Sequence, residues 1–379
     1  MTKNTLFGGF MLNILIKPAS SLCNMRCKYC FYRDVADNRE SASFGIMSEE
    51  VTRAFLENLF SYAKAPISFT FQGGEPTLAG VKYFSDFHSL VEKYNTRGLP
   101  VAFSLQTNGY GLSEDLVRIF SKYRYLLGVS LDGDEALHNS LRPASDGAPT
   151  YEKINESLKL LDKYKVEYNI LTVITEQVAS RGADVYRILR ERGFKFLQFI
   201  PFVPDFFGAG EGESYTLTNE SYAKFLNETF AEYHKDFISG NYVSVRQFDN
   251  FVRIAAGLAP ECCGMGGSCV ASIVVEADGG VYPCDFYVLD RWKMGNVTTD
   301  TLESILSSLA ASEFVKSSRF ILDECRECEF LPICRGGCRR HREDECGNLG
   351  KNRYCSAYKS FFGESLPLIF DIAGRIKSN

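Results

Sequence analysis

The stretch Ser20-Ser21-Leu22-Cys23-Asn24-Met25-Arg26-Cys27-Lys28-Tyr29-Cys30-Phe31-Tyr32 decides how this chain is read. It sets three cysteines in the spacing C-x3-C-x2-C, just after an apolar run at 12–16, with an aromatic residue behind the last. Three thiolates in so short a loop can hold three irons of a [4Fe–4S] cluster. The fourth iron then lacks a protein ligand and can bind a small molecule, as a catalytic metal keeps one position free. The alternative is a zinc knuckle, which needs a fourth ligand. None is local, since the nearest histidine is His88. A zinc site completed from a distant part of the chain stays open at this level.

Outward from the loop, strand-like and helix-like segments alternate over the first two hundred residues. Short apolar, β-branched or aromatic runs predict strands at 12–16, 67–71, 101–105, 126–131, 168–174 and 196–200. Helical patterns predict helices at 48–62, 83–94, 113–122, 151–164 and 183–192. Ser48 and Ser113 sit where N-caps belong, with acidic residues in the turn that follows, and Gly193 sits where a C-cap belongs. Six strands with helices between them predict a βα-repeat sheet, and six repeats are fewer than a closed eightfold barrel. In such folds the chemistry gathers at the C-terminal ends of the strands. The polar motifs fall there: the cysteine loop after the first strand, Gln72-Gly73-Gly74-Glu75-Pro76 after the second, Gln106-Thr107-Asn108-Gly109 after the third and Ser130-Leu131-Asp132-Gly133 closing the fourth.

The pattern changes near Pro204. A Gly- and Glu-rich loop at 208–213 leads into a helical region ending near Leu258, and a cysteine-rich remainder follows, with a short strand at 272–276 and a turn at Asp278-Gly279. A chain of 379 residues suits one large domain and a smaller one, divided here as 1–235 and 236–379. The net charge of -5 gives no reason to expect nucleic acid or an anionic membrane as a partner. The run Arg339-Arg340-His341-Arg342 is followed by Glu343, Asp344 and Glu345, and reads as a solvated mixed-charge face. No apolar stretch has the length of a membrane span or a signal peptide, so a cytoplasmic location is expected.

Thirteen cysteines in such a chain point to metal or redox chemistry rather than disulfides. Three lie within 23–30, none within 31–261 and ten within 262–355, which suggests two metal-bearing regions around a metal-free body. The second region carries Cys263, then Cys269-x9-Gly279-x4-Cys284, then Cys325-x2-Cys328-x5-Cys334-x3-Cys338-x16-Cys355. These eight thiols suffice for two fully enclosed clusters, and paired zinc ribbons fit the spacing about as well. Cys262 and Cys346 are left over as spare thiols, although Cys262 could exchange roles with Cys263.

Taken together, Cys23, Cys27, Cys30 and Gly73-Gly74-Glu75-Pro76 resemble the radical SAM superfamily. The resemblance implies a partial (β/α)6 barrel and S-adenosylmethionine (SAM) on the open iron of an oxygen-sensitive cluster. It places Gln72, Gly73, Gly74, Glu75 and Pro76 against SAM, with Asn108, Ser130, Arg142 and Tyr29 as further contacts. The glycines would let backbone approach the ligand, and Glu75 would accept from its ammonium. The order of the later cysteines is similar to the SPASM extension with two auxiliary [4Fe–4S] clusters, making three in all. By that likeness Cys263, Cys269, Cys284 and Cys338 bind one, and Cys325, Cys328, Cys334 and Cys355 the other. Cys23–Tyr32, Phe71–Leu78, Tyr282–Tyr287 and Cys334–Arg340 bring the chain nearest the anaerobic sulfatase-maturating enzymes.

Those enzymes oxidise a cysteine or serine in a Cys/Ser-x-Pro-x-Arg motif of a sulfatase to Cα-formylglycine. The resemblance makes Asp285 the base and a 5′-deoxyadenosyl radical the hydrogen abstractor. Gln72 and Tyr32 are candidates to face the substrate, and the aromatic tracts 199–207 and 286–288 are read as core or lid before groove. An unfolded or nascent sulfatase, a reducing partner such as ferredoxin or flavodoxin, and a monomer are expected. One alternative is a maturase of a ribosomal peptide, forming thioether or other cross-links. Such enzymes often carry an N-terminal leader-gripping domain, and the 22 residues before Cys23 are too few for one. The other is a zinc-stabilised scaffold.

Overall fold

The computed structural model describes residues 11–206, 212–344 and 347–378. The six predicted strands are present as β1 Leu12–Ile16, β2 Ile67–Phe71, β3 Val101–Thr107, β4 Leu126–Ser130, β5 Glu167–Ile174 and β6 Phe196–Pro201. β3 runs longer than expected because Gln106 and Thr107 still pair with Gly128 and Val129. Four short strands join them: β7 Ser244–Val245, β8 Ile273–Val275, β9 Gly280–Tyr282 and β10 Gly295–Asn296. All ten form one sheet in the order β10-β9-β8-β1-β2-β3-β4-β5-β6-β7. The pairs from β1 to β7 are parallel. β8 adds to the other edge of β1, also parallel, and β9 and β10 continue antiparallel.

Alternation along the strands shows that the helices cover one face of the sheet, as in a partial barrel, and not both. Ile14, Ile16, Phe69, Phe71, Leu105, Leu127 and Val129 are fully buried beneath the helices. The opposite face carries Ser68, Thr70, Ser104, Gln106, Asn169 and Gln198, all half-buried. A sheet covered by helices on both sides would be apolar on both. Here one face lines a polar space. Under the helices, the Phe87 ring meets Phe69 and Phe71 edge-on at 5.2 and 5.0 Å. Ser48 and Ser113 cap helices Glu49–Tyr62 and Glu114–Lys122 by accepting from Val51 and Leu116 N–H at 3.1 and 3.3 Å. Each cap stabilises its helix by about 1 kcal/mol.

The cysteine-rich part is tied to the barrel twice, by β8 on β1 and by the terminal helix Cys355–Ser378 lying along helix Asn219–Ile238. Tyr222 and Tyr358 hydroxyls meet at 3.2 Å and His234 meets Asp371 at 3.1 Å across that contact. The division expected at 235 and 236 falls inside helix Asn219–Ile238, where Asp236 binds Arg190 at 2.8 Å. No helix among the described residues is long and apolar enough to cross a membrane. Phe199, Phe202, Phe206, Tyr287 and Val288 are core residues, while Phe207 and most of the loop 208–213 lie outside the described residues.

One expectation is overturned. Arg339, Arg340, His341 and Arg342 are not a solvated face: they are 4, 4, 9 and 5 % exposed. The Arg339 guanidinium sits 4.7 Å from the Phe314 ring, 4.9 Å from Trp292 and 5.2 Å from Tyr287, and pairs with buried Glu343 at 3.6 Å. Arg340 lies 3.7 Å over Phe206 and 3.6 Å from Asp34. Planar, weakly hydrated guanidinium groups stack on rings in a way local charge patterning does not reveal. Replacing Arg339 by Ala removes the cation stacked within this ring cage and leaves buried Glu343 to the half-exposed Arg291 at 3.4 Å. The expected cost is about 3–5 kcal/mol, read as a lowered denaturation midpoint. A midpoint equal to wild type would show that the cage holds no net stability.

Candidate active site

The cysteine loop is shaped by backbone contact with the segment after β2. Ser20 is fully buried with φ +51°, a conformation costly for a residue with a Cβ. Its hydroxyl accepts from Phe44 N–H and from Arg39 Nη2, each at 3.1 Å. Its carbonyl accepts from Gly74 N–H at 2.9 Å, and the Leu22 carbonyl accepts from Glu75 N–H at 2.7 Å. A Cβ on Gly74 would lie 2.1 Å from the Leu22 oxygen, and one on Gly73 2.9 Å from the Ser20 oxygen. The glycines are therefore required for approach to the cysteine loop itself.

Glu75 is fully buried and turned inward. One oxygen accepts from Thr77 N–H at 3.1 Å, Thr77 Oγ1 at 2.6 Å and Thr107 Oγ1 at 2.9 Å. The other accepts from Asn108 N–H at 2.7 Å. Four donors already hold this carboxylate, which straps the end of β3 to the Gly-Gly segment. Asn108 donates to Asn24 Oδ1 at 2.7 Å and approaches Cys23 Sγ at 3.6 Å, so it braces the cysteine loop. Tyr29 and Arg142 are buried behind Cys27. Arg142 Nη1 donates to the Tyr29 hydroxyl at 2.5 Å, and that hydroxyl donates to Asp132. Ser130 is half-buried at the end of β4.

The donor set suits an iron–sulfur cluster and a zwitterionic cofactor. The three thiols lie near enough to repel one another when ionised. Burial pushes Cys23 up to about 11 and Cys27 to about 12, so their thiolates need a bound cation. Among the described residues no three His, Cys, Asp or Glu side chains are set to hold a single metal ion. Arg142 Nε is buried without a partner, which suits a carboxylate ligand such as that of SAM.

Across from this segment, three side chains from distant parts of the chain converge. Tyr32 donates to Asp285 Oδ2 at 2.6 Å. Gln72 Nε2 donates to the same oxygen at 2.9 Å and to the Tyr32 hydroxyl at 2.7 Å. Asp285 Oδ1 is buried with no partner among the described residues. Burial pushes the Asp285 carboxyl up, while the Lys17 charge and the Tyr32 bond pull it down. Lys17 Nζ lies 5.0 Å from the Tyr32 ring centre and 3.6 Å from Glu276, which also binds Arg39 at 2.7 Å. Lys17, Arg39 and Glu276 stand in no motif of the sequence, and Asp132 stands there only within the segment that closes the fourth strand. The available signal was a lysine directly after a buried apolar strand.

The later cysteines gather in two fours. Mutual repulsion links Cys263, Cys269, Cys284 and Cys338. The same holds for Cys325, Cys328, Cys334 and Cys355, which line one cavity with Gly336 and Lys351. Each four suits a fully enclosed cluster. Cys262 turns away to Asn250, whose Nδ2 approaches its sulfur at 3.5 Å, and Cys346 lies outside the described residues.

Comparison with known proteins follows the same lines. The radical SAM superfamily model matches residues 18–187, and that of the iron–sulfur cluster-binding SPASM domain matches 263–329. The cysteine-type anaerobic sulfatase-maturating enzyme of Clostridium perfringens is 41% identical over 367 residues, 97% of this chain and 99% of that one. The serine-type enzyme of Bacteroides thetaiotaomicron is 27% identical, covering 94% of this chain and 90% of that one. A solved structure of native anSMEcpe with bound AdoMet and Cp18Cys peptide superimposes with a TM-score of 0.92 at 40% identity, covering 97% of this chain and 99% of that one. A radical SAM barrel with a SPASM domain, similar throughout its length to such an enzyme, this chain belongs to the anaerobic sulfatase-maturating enzymes.

Proposed function

We propose that this chain oxidises a cysteine or serine in a Cys/Ser-x-Pro-x-Arg motif of an unfolded or nascent sulfatase to Cα-formylglycine. One observation carries the reading. The residue following Cys284 of a C-terminal cysteine set, Asp285, is hydrogen-bonded to the residue preceding Gly73 of the cofactor segment. Base, radical source and electron acceptor are thereby assigned to one end of the sheet. The cysteine-type relative shares 41% identity against 27% for the serine-type one, which favours cysteine as the target.

The bound groups supply a 5′-deoxyadenosyl radical that takes a hydrogen atom from the target β-carbon, and a cluster beside Asp285 that accepts the remaining electron. The chain's own residues do the rest. Cys23, Cys27 and Cys30 hold three irons, and Gln72 to Pro76 present backbone to SAM. Arg142, Asn108, Ser130 and Tyr29 would be its further contacts, and the unpartnered Arg142 Nε is the donor that would be available to its carboxylate. The two fours of C-terminal cysteines hold the auxiliary clusters. Tyr32 and Gln72 occupy Asp285 Oδ2, leaving Oδ1 to take the thiol or hydroxyl proton. Water replaces sulfur when the target is cysteine. A small low-potential carrier such as ferredoxin or flavodoxin reduces the monomeric enzyme in the cytoplasm.

Anaerobic reaction with a Cys-x-Pro-x-Arg peptide is expected to lower its mass by about 18 Da, and a serine peptide by about 2 Da. A cross-linked product would instead favour ribosomal-peptide maturation. Asp285→Asn is expected to cleave SAM yet lose 10²- to 10⁴-fold (~) in aldehyde formation. Aldehyde at the normal rate would remove Asp285 as the base. Wild-type protein is expected to hold about twelve irons and Gly74→Ala about eight, because the added Cβ displaces the cysteine loop. Full iron and unchanged SAM affinity in Gly74→Ala would contradict that packing.

A further inference from the structure

Among the arginines of the buried run, Arg342 is unlike its neighbours. Arg339 has Glu343 and Arg340 has Asp34. Arg342 is 5 % exposed and forms no ion pair among the described residues. Among the described residues its guanidinium donates to main-chain oxygens alone, to Ser318 at 3.2 Å and to Phe320. A buried cation held only by neutral carbonyls requires a compensating negative charge nearby.

The groups around it identify that charge. Burial acts against its charged form and lowers its pKa, and the thiols that act the other way are Cys325, of one four, and Cys269 and Cys338, of the other. A second contact places it between the fours as well. The guanidinium packs on Gly336, where a Cβ would meet Nη1 at 3.7 Å, and Gly336 lies in the short segment joining Cys334 to Cys338. A third runs through Ser318, whose carbonyl accepts from Arg342 and whose hydroxyl accepts from Cys269 N–H at 2.9 Å. Arg339 is the other cation bearing on Cys269, but Glu343 balances it.

We propose that Arg342 is a positioning residue shared by the two auxiliary clusters, a buried counter-cation that raises both reduction potentials together. The proposal rests on the reading that each four of cysteines holds a cluster. Cluster reduction adds one negative charge, which a fixed guanidinium between the two favours at either site. Both clusters are thus poised to take the single electron left on the substrate after hydrogen abstraction and deprotonation. A one-electron carrier outside the protein removes that electron.

The test is a redox titration of the anaerobically reconstituted full chain, followed by electron paramagnetic resonance, in wild type, Arg342→Met and Arg342→Lys. In Arg342→Met, the equilibrium constant for reducing each auxiliary cluster is expected to fall at least about tenfold, which is about 59 mV for one electron. The N-terminal cluster is expected to stay at its wild-type potential. Arg342→Lys keeps the charge and is expected to keep both auxiliary potentials near wild type. A shift confined to one auxiliary cluster, or none in iron-replete Arg342→Met, overturns the proposal. So does an equal shift in Arg342→Lys, which would assign the effect to the carbonyl contacts. If Arg342→Met loses auxiliary iron while Arg342→Lys retains it, the requirement for charge is supported; loss from both makes Arg342 a scaffold and overturns it. Wild-type protein with only about four irons would instead refute the two-cluster reading beneath it.

Discussion

The structure depends on one close approach of backbone to backbone. The Ser20 and Leu22 carbonyls bind the amides of Gly74 and Glu75, and no side chain fits between the two segments at Gly74. This contact sets where the cysteine loop lies relative to the end of β2. Other constraints follow from it. Ser20 is held in a left-handed conformation by Phe44 and Arg39, and Glu75 is drawn inward to the end of β3. The loop, the Gly-Gly segment and Asn108 form one unit because the Ser20 and Leu22 carbonyls, both Glu75 oxygens and the Asn108 side chain are bonded across the seam.

A second organising element is the placement of buried charge at the junction of barrel and cysteine-rich region. Glu276, just beyond β8, is bound by Lys17 from the end of β1 and by Arg39 from the segment after the cysteine loop. The adjoining Tyr32–Gln72–Asp285 cluster draws on both regions too. Burying charges is unfavourable unless they are paired, so these groups make the relative position of the two regions specific as well as stable. The sheet reinforces it, since β8 extends the barrel wall rather than starting a new layer. The expected boundary at 235 and 236 lies within helix Asn219–Ile238, along which the terminal helix packs.

Much of the barrel was legible in the chain. The β1, β2 and β4–β6 apolar patterns predicted strands to within a residue or two, and Ser48 and Ser113 marked helix starts correctly. These signals are local: period, cap and turn depend on residues a few positions apart. The cysteine spacings were local too, and they marked out the three-thiol loop that follows β1. The pairing of later cysteines into two fours came by family likeness, because spacing alone allows several groupings.

The sequence by itself determined the alternation of strands and helices, the three-thiol loop and the glycines that a tight seam demands. Only the tertiary structure decided that Glu75 faces inward, that Arg339 to Arg342 are buried, and that Asp285 meets Gln72 and Tyr32 from 213 and 253 positions away. The physical reason is charge compensation. A residue's propensity is expressed among its near neighbours, but whether a charge can be buried depends on which distant group arrives to balance it.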